Sequence, residues 1–154
     1  MINTASSEVR RISHDMAPSA LRLGSLKDAL SDLARNTSTD ELQVTFEWLG
    51  DEEPMAEKTQ VMLFRMAQEL ISNVVKHAKA STLLVQVNRY DGTLTLVVED
   101  NGHGFDPATK ADGLGLRSIR SRADFLGATL DIDTKIGHGT TATIILIDNR
   151  GGHS

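Results

Sequence analysis

Four polar residues recur at helical spacing in the segment QELISNVVKHAKA, residues 68–80. Glu69 and Asn73 are four residues apart and share one face of a helix, which Lys76 continues and beside which His77 lies. Carboxylate and amide oxygens can hold Mg²⁺ directly or through water, and an ammonium group can neutralise phosphate. This pattern favours binding of a metal–phosphate complex, although a solvated polar helix face would look the same.

A second group of residues follows a predicted strand in VEDNGHGFD, residues 98–106. Asp100 ends the strand, where its carboxylate can accept a hydrogen bond from a donor such as an exocyclic amine. Gly102 and Gly104 have no Cβ and would let the backbone approach a flat ligand closely. A plain turn is the competing interpretation, because hairpin loops often contain such glycine pairs.

Two further glycine pairs lie in GLGLRSIR, residues 113–120, and GHGTTATI, residues 137–144. Gly113 and Gly115 precede a predicted helix whose first backbone amides are unpaired, an arrangement that favours phosphate binding. The second pair by itself indicates only a hairpin. The chain has neither a GK[ST] phosphate loop nor a GxGxxG fingerprint after a first strand.

Hydrophobic periodicity predicts the elements that must position these residues. Helical spacing predicts helices over 58–80 and 116–126, with Gly127 as a left-handed C-cap, and Asp91-Gly92 predicts a two-residue hairpin turn. Alternating residues predict strands over 42–48, 83–90, 93–100, 128–134 and 141–147. The order predicts an α+β fold, a two-layer sandwich with a mixed sheet of about five strands and helices on one face.

The first 40 residues differ from the rest of the chain. Residues 6–35 predict two short amphipathic helices, interrupted at Pro18 and Gly24, and the polar segment 36–40 predicts a boundary. We therefore expect a helical fragment over 1–38, the sheet domain over 39–148 and a disordered tail over 149–154. Because the helical pattern begins abruptly, we expect the chain to belong to a longer protein.

Composition excludes several classes of protein. The 154 residues include 16 basic and 21 acidic ones, so a net charge of −5 argues against broad nucleic-acid binding. The absence of cysteine excludes a disulfide scaffold, a thiolate metal site and a cysteine nucleophile. No apolar run approaches the ~18 residues of a membrane-spanning helix. We expect a cytoplasmic location, in a parent protein that can itself be membrane-anchored.

The order of these motifs over residues 40–148 resembles the GHKL ATPase superfamily, which includes DNA gyrase, the large heat-shock chaperone, MutL and histidine kinases. The resemblance is greatest to sensor histidine kinases of the nitrate-sensor-like subgroup, in NVVKHAKAS, in GLGLRSIRSRADFLGATLDI and in the short span 105–113 that would form an ATP lid. RRISHDMAPSALRLGSLKDAL resembles the second helix of that subgroup's dimerisation bundle. The resemblance implies a Bergerat-type ATP-binding fold.

The resemblance also implies a role for each matched residue. Asn73 would bind Mg²⁺ with Glu69 as its catalytic neighbour, and Asp100 would accept from the adenine amine. The residues expected to bind ATP are Asn73, Lys76, His77, Asp100, Gly102, Gly104, Gly113, Gly115, Leu116 and Thr140.

The implied activity is that of a protein histidine kinase. Such an enzyme transfers the γ-phosphoryl group of ATP to a histidine on a homodimeric bundle, for relay to the receiver domain of a response regulator. His14-Asp15 resembles the acceptor pair, but the surrounding proline and leucine spacing fits the second bundle helix instead. We therefore expect no phosphoacceptor in this chain, which would be incomplete for autophosphorylation.

Two alternative functions share the same ATP fold. An anti-sigma-factor serine kinase would bind and sequester a partner protein, but it should begin with the sheet domain, so residues 6–35 count against it. A degenerate module would bind nucleotide weakly and act as a regulator, but the presence of Asn73, Asp100 and the glycine pairs counts against that. A gyrase-like or MutL-like function is least favoured, because the lid is short and no transducer domain follows Ile147.

Overall fold

A computed structural model describes residues 21, 25–104 and 116–147 of the chain. His14, Gly113, Gly115 and the tail predicted over 149–154 lie outside the described residues. The helices are α1 (Leu26–Thr37), α2 (Glu57–Asn73) and α3 (Leu116–Leu126), and a π-helical turn (Val74–Ala78) follows α2. The strands are β1 (Gln43–Gly50), β2 (Thr82–Tyr90), β3 (Thr93–Asp100), β4 (Thr129–Thr134) and β5 (Thr140–Ile147).

The five strands form one mixed sheet in the order β1-β2-β3-β5-β4. β1 and β2 pair in parallel, with α2 as the crossover between them, and the other pairs are antiparallel. The predicted hairpin turn is confirmed: Asp91 and Gly92 have φ values of 53° and 77°, as a type I′ turn requires. The predicted α+β fold with a mixed five-stranded sheet is therefore confirmed.

One face of the sheet carries the core. Alternate residues of β2 and β3, such as Leu83, Val85, Leu94 and Leu96, are buried there, and the apolar faces of the three helices pack against them. The residues between them lie on the opposite, more exposed face. This arrangement gives the predicted two layers. None of the described helices is long and apolar enough to cross a membrane.

Helix α1 belongs to this core. Ser25 caps its N-terminus, since its Oγ accepts from the Asp28 amide at 3.0 Å. Leu26 and Leu30 are buried in the same cluster as the sheet residues, and α1 packs on β1 and α2. The helix precedes the boundary predicted after residue 38, and the assignment of residues 1–38 to a dimerisation bundle stays a prediction.

The prediction of one helix over 58–80 is wrong at its C-terminal end. Regular α-helix ends at Asn73, the π-helical turn ends at Ala78, and Lys79 is left-handed with φ 52°. Tertiary contacts hold the segment that follows this turn. Asn101 Oδ1 accepts from the Ser81 and Thr82 amides, each at 2.9 Å. The His103 amide also donates to the Ala78 carbonyl oxygen at 2.8 Å, so the loop after β3 contacts the end of the π-helical turn.

Candidate functional site

A cavity lies where the C-terminal end of α2 meets the N-terminal end of α3 and the adjacent ends of β3, β4 and β5. Its volume is about 180 Å³, which is enough for one flat ring system, because a cavity of about 150 Å³ holds benzene. The described residues that line it are Leu70, Asn73, Val74, His77, Ala78, Val98, Asp100, Gly104, Leu116, Ile132, Thr140 and Ala142. Its walls are mostly apolar, with a few polar groups, as in many small-molecule sites.

Six of the predicted binding residues meet at this cavity. They come from separate segments of the chain: Asn73 and His77 from the end of α2 and its π-helical turn, Asp100 and Gly104 from β3 and its loop, Leu116 from α3, and Thr140 from β5. The fold thus brings together residues that the sequence separates by up to 67 positions (140 − 73).

Three other predicted residues do not line the cavity. Glu69 lies one turn earlier on α2 and is half-buried, while Lys76 is exposed on the π-helical turn. Gly102 is buried, but it faces the end of that turn.

Asp100 is the buried carboxylate of the site, with only 7% of its surface exposed. Its Oδ1 accepts from the Gly102 amide at 2.7 Å. Burial raises the pKa of Asp100 above its ordinary value, and hydrogen bonds from the backbone of Gly102 and Thr140 offset part of that rise. Burial therefore destabilises the ionised form of Asp100 when no ligand is bound, and a hydrogen-bond donor in the cavity would stabilise that form.

Gly102 and Gly139 allow two loops to pack closely at the rim. A Cβ on Gly102 would lie 2.2 Å from the Ala78 carbonyl oxygen, and the His103 amide donates to that same oxygen at 2.8 Å. Gly139 has φ 82°, and a Cβ there would lie 2.2 Å from the Asp100 carbonyl oxygen. The space that Gly102 leaves is thus filled by protein backbone, whereas the sequence suggested approach to a ligand.

Several residues of the site were not predicted from the sequence. The apolar wall formed by Val98, Ile132 and Ala142 was assigned only to strands, although alternation with Asp100 and Thr140 places these residues on the core face. Asn101 was also missed. Its Nδ2 donates to Ser81 Oγ at 2.8 Å, so it links the loop after β3 to the start of β2.

The donor set at the cavity bears on metal binding. Among the described residues, no group of three or more histidine, cysteine, aspartate or glutamate side chains could hold a metal ion. The amide oxygen of Asn73 is a hard ligand at the cavity wall. Because Mg²⁺ commonly takes one or two protein oxygens plus substrate phosphates and water, this set fits Mg²⁺ bound together with a phosphate ligand.

The family model described as "Histidine kinase-, DNA gyrase B-, and HSP90-like ATPase" matches residues 58–150. The chain therefore belongs to this family of ATPases, as the sequence motifs predicted.

Two relatives are named as signal transduction histidine-protein kinase/phosphatases. The chain is 36% identical over 140 residues to the signal transduction histidine-protein kinase/phosphatase UhpB of Salmonella typhimurium, which covers 90% of this chain and 28% of that protein. It is 35% identical over 149 residues to the signal transduction histidine-protein kinase/phosphatase DegS of Brevibacillus brevis, and the match covers 94% of this chain and 38% of that protein. The chain thus spans well under half of each relative.

A solved structure shares the fold. The histidine kinase domain of a blue-light activated kinase from Erythrobacter litoralis superposes with a TM-score of 0.69 at 22% identity, covering 81% of this chain and 60% of that one. At this identity the likeness confirms the architecture alone.

Proposed function

We propose that this chain is the ATP-binding catalytic domain of a sensor histidine kinase. The observation that carries the proposal is the buried carboxylate of Asp100 at the wall of a cavity large enough for a flat ring. Family membership and the sensor-kinase relatives support it. The whole protein would be an ATP-dependent protein histidine kinase.

The base would enter the cavity between its apolar walls. Asp100 would accept a hydrogen bond from the exocyclic amine of adenine, and Thr140 would lie near the same edge, directly or through water. Guanine carries a carbonyl oxygen where adenine carries that amine, so an ionised Asp100 would repel it. The buried acceptor therefore accounts for a preference for adenine, because mismatching it leaves a charged group unpaired.

The phosphates would extend toward the ends of α2 and α3. Asn73 would supply a Mg²⁺ ligand, with the remaining ligands from phosphate and water, and Lys76 and His77 on the π-helical turn would contact phosphate oxygens. Leu116 begins α3, whose first backbone amides would take up further negative charge, together with Gly113 and Gly115 before it. When bound, Mg²⁺ would neutralise phosphate charge. Glu69 would act beside Asn73.

The chemistry would be phosphoryl transfer. A histidine nitrogen on the dimerisation bundle would form a bond to the γ-phosphorus as the bond to the ADP oxygen breaks, and the phosphoryl group would pass to a response regulator. We propose that the parent protein works as a homodimer in the cytoplasm, and that the acceptor histidine lies outside this chain. This domain would contribute alignment and electrostatic stabilisation.

Calorimetric titration tests the nucleotide site. We expect saturable binding of ATP with Mg²⁺ and not of GTP, and we expect Asp100→Asn to weaken ATP binding. Asp131→Asn is the matched control, because Asp131 is exposed on the opposite face of β4. An absence of binding at millimolar ATP would overturn the kinase proposal and favour the degenerate regulatory module.

Labelling with γ-phosphate-labelled ATP tests the acceptor. We expect no stable label on the isolated chain. A label that disappears in His14→Gln would identify His14 as the acceptor and contradict that part of the proposal.

A further inference from the structure

Four residues form a row across the core face of the sheet at its cavity end. The strand registers place Leu83 opposite Asp100, Asp100 opposite Thr140, and Thr140 opposite Thr134. Asp100 and Thr140 line the cavity, and Thr134 stands one strand further out, on edge strand β4. The cavity wall therefore continues into a residue with no function assigned so far.

The hydroxyl groups of Thr134 and Thr140 are hydrogen-bonded. Their Oγ1 atoms are 2.8 Å apart, the optimum for a bond between hydroxyls, whereas Thr134 Oγ1 lies 3.4 Å from the Gly139 carbonyl oxygen. Threonine has few χ1 rotamers, so a bond to its hydroxyl selects which of its two Cβ substituents faces the neighbouring strand. The contact with Thr134 thus fixes the orientation of the Thr140 side chain.

We propose that Thr134 is a positioning residue for the nucleotide base and acts through Thr140. A hydroxyl offers one donor and two acceptor positions, and the bond to Thr134 uses one of them, so the others stay available to a base or a water in the cavity. Held this way, the Thr140 hydroxyl stands beside the Asp100 carboxylate as a second polar group. This inference rests on the proposed ATP site and assigns Thr134 no contact with the ligand.

Paired substitutions in the calorimetric titration test this role. Thr134→Val keeps the shape and removes the hydroxyl, and we expect ATP binding to weaken about threefold to tenfold, the range for one neutral hydrogen bond. Thr134→Ser keeps the hydroxyl and should stay within about twofold of the wild type. Thr129→Val, an exposed position on the opposite face of β4, should bind ATP unchanged.

A double-mutant cycle separates positioning from general destabilisation. In a Thr140→Val background, Thr134→Val should cause no further loss of ATP affinity, because the group that Thr134 holds is gone. Unchanged ATP affinity in Thr134→Val alone would overturn the inference. A loss that persists in the Thr140→Val background, or that Thr134→Ser does not rescue, would also overturn it.

The side-chain coupling constants of Thr140 provide a test that needs no nucleotide. We expect one dominant χ1 rotamer in the wild type and in Thr134→Ser, and rotamer averaging in Thr134→Val or, if that variant does not fold, in Thr134→Ala. If Thr140 keeps the same dominant rotamer when residue 134 has no hydroxyl, the positioning role is refuted even if ATP binds. Wild-type protein that fails to bind ATP would instead refute the proposed function, and the two failures are thus distinguishable.

Discussion

Among the residues that the structure describes, two charged side chains are buried on the core face of the sheet, at opposite ends of it. Arg89 is 5% exposed and Asp100 is 7% exposed, so burial does not distinguish them. Their surroundings do. The Arg89 guanidinium donates to the Glu53 carbonyl oxygen and so holds the loop before α2 against the sheet. Asp100 accepts from the Gly102 amide but also faces the cavity.

A buried charge that stabilises the fold differs in its partners from a buried charge that is available to a ligand. A guanidinium that donates to a backbone carbonyl oxygen is part of the fold, and its removal leaves that oxygen without this donor. A carboxylate beside a cavity has unused acceptor capacity and a raised pKa. We therefore expect Arg89 to matter for stability and Asp100 for ligand binding.

Removing Arg89 should have the largest effect. Arg89→Ala deletes a buried side chain and the donor to Glu53, so we expect the free energy of unfolding to fall by about 3–5 kcal/mol. Urea denaturation would measure the loss. Arg35→Ala is the control, because its exposed ion pair with Asp32 should contribute less than about 1 kcal/mol. Equal losses in the two variants would contradict the structural role of Arg89.

Asp100→Asn should reduce ATP affinity and leave stability unchanged, the opposite of the effect expected for Arg89→Ala. We expect ATP affinity to fall about 10-fold to 100-fold, as for a buried hydrogen bond to a charged group, with no loss of melting temperature at neutral pH. Calorimetry and thermal denaturation of the same sample would measure both. A variant that loses stability and still binds ATP as the wild type does would reverse our assignment of the two charges.

Two glycine substitutions test how the packing at the cavity rim affects stability and ATP binding. Gly102→Ala would force Ala78 or the loop to move, and Gly127→Ala would place a side chain at φ 74° in open space, so each should lower stability by about 1–2 kcal/mol. Only Gly102→Ala should also weaken ATP binding, because Ala78 lines the cavity. Equal ATP affinity in the two variants would show that the packing of this loop does not affect the site.

The smallest expected effect is on pH dependence. Because burial raises the pKa of Asp100, the folded protein binds more protons than the unfolded chain between the two pKa values. The contribution of Asp100 to stability is therefore greatest below the unfolded pKa of about 3.9 and falls as pH rises through the folded value. Urea denaturation over a pH series would measure the free energy of unfolding of Asp100→Asn and of the wild type. As pH rises through the folded pKa of Asp100, the variant should become more stable relative to the wild type. A relative loss would contradict the direction of the shift.

Much of the fold could be predicted because local patterns agree with it. Asp91-Gly92 identified the hairpin, and Gly127, with φ 74°, follows α3 as predicted. The π-helical turn could not be predicted, because Val74 and Ala78 are four residues apart and satisfy α-helical spacing equally well. The contact at the end of the turn comes from a distant part of the chain, because the His103 amide donates to the Ala78 carbonyl oxygen.

The polar part of the site was easier to predict than its walls. Asn73 and Asp100 occur in recognisable motifs, so their types and spacing indicated a site before their neighbours were known. Val98, Ala142 and Ile132 are ordinary strand residues, and their meeting depends on the registers of β3, β5 and β4. Register follows from the packing of the whole sheet, which no single segment encodes.

The burial of α1 has a consequence for recombination between members of this ATPase family. Leu26, Ala29 and Leu30 belong to the same core cluster as the sheet residues. A crossover placed between α1 and β1 would therefore separate this helix from the sheet on which it packs. A chimera joined there would carry a foreign helix against α2. Exchanges that keep α1 with the sheet should give folded hybrids more often, so α1 limits where this chain can be joined to a relative.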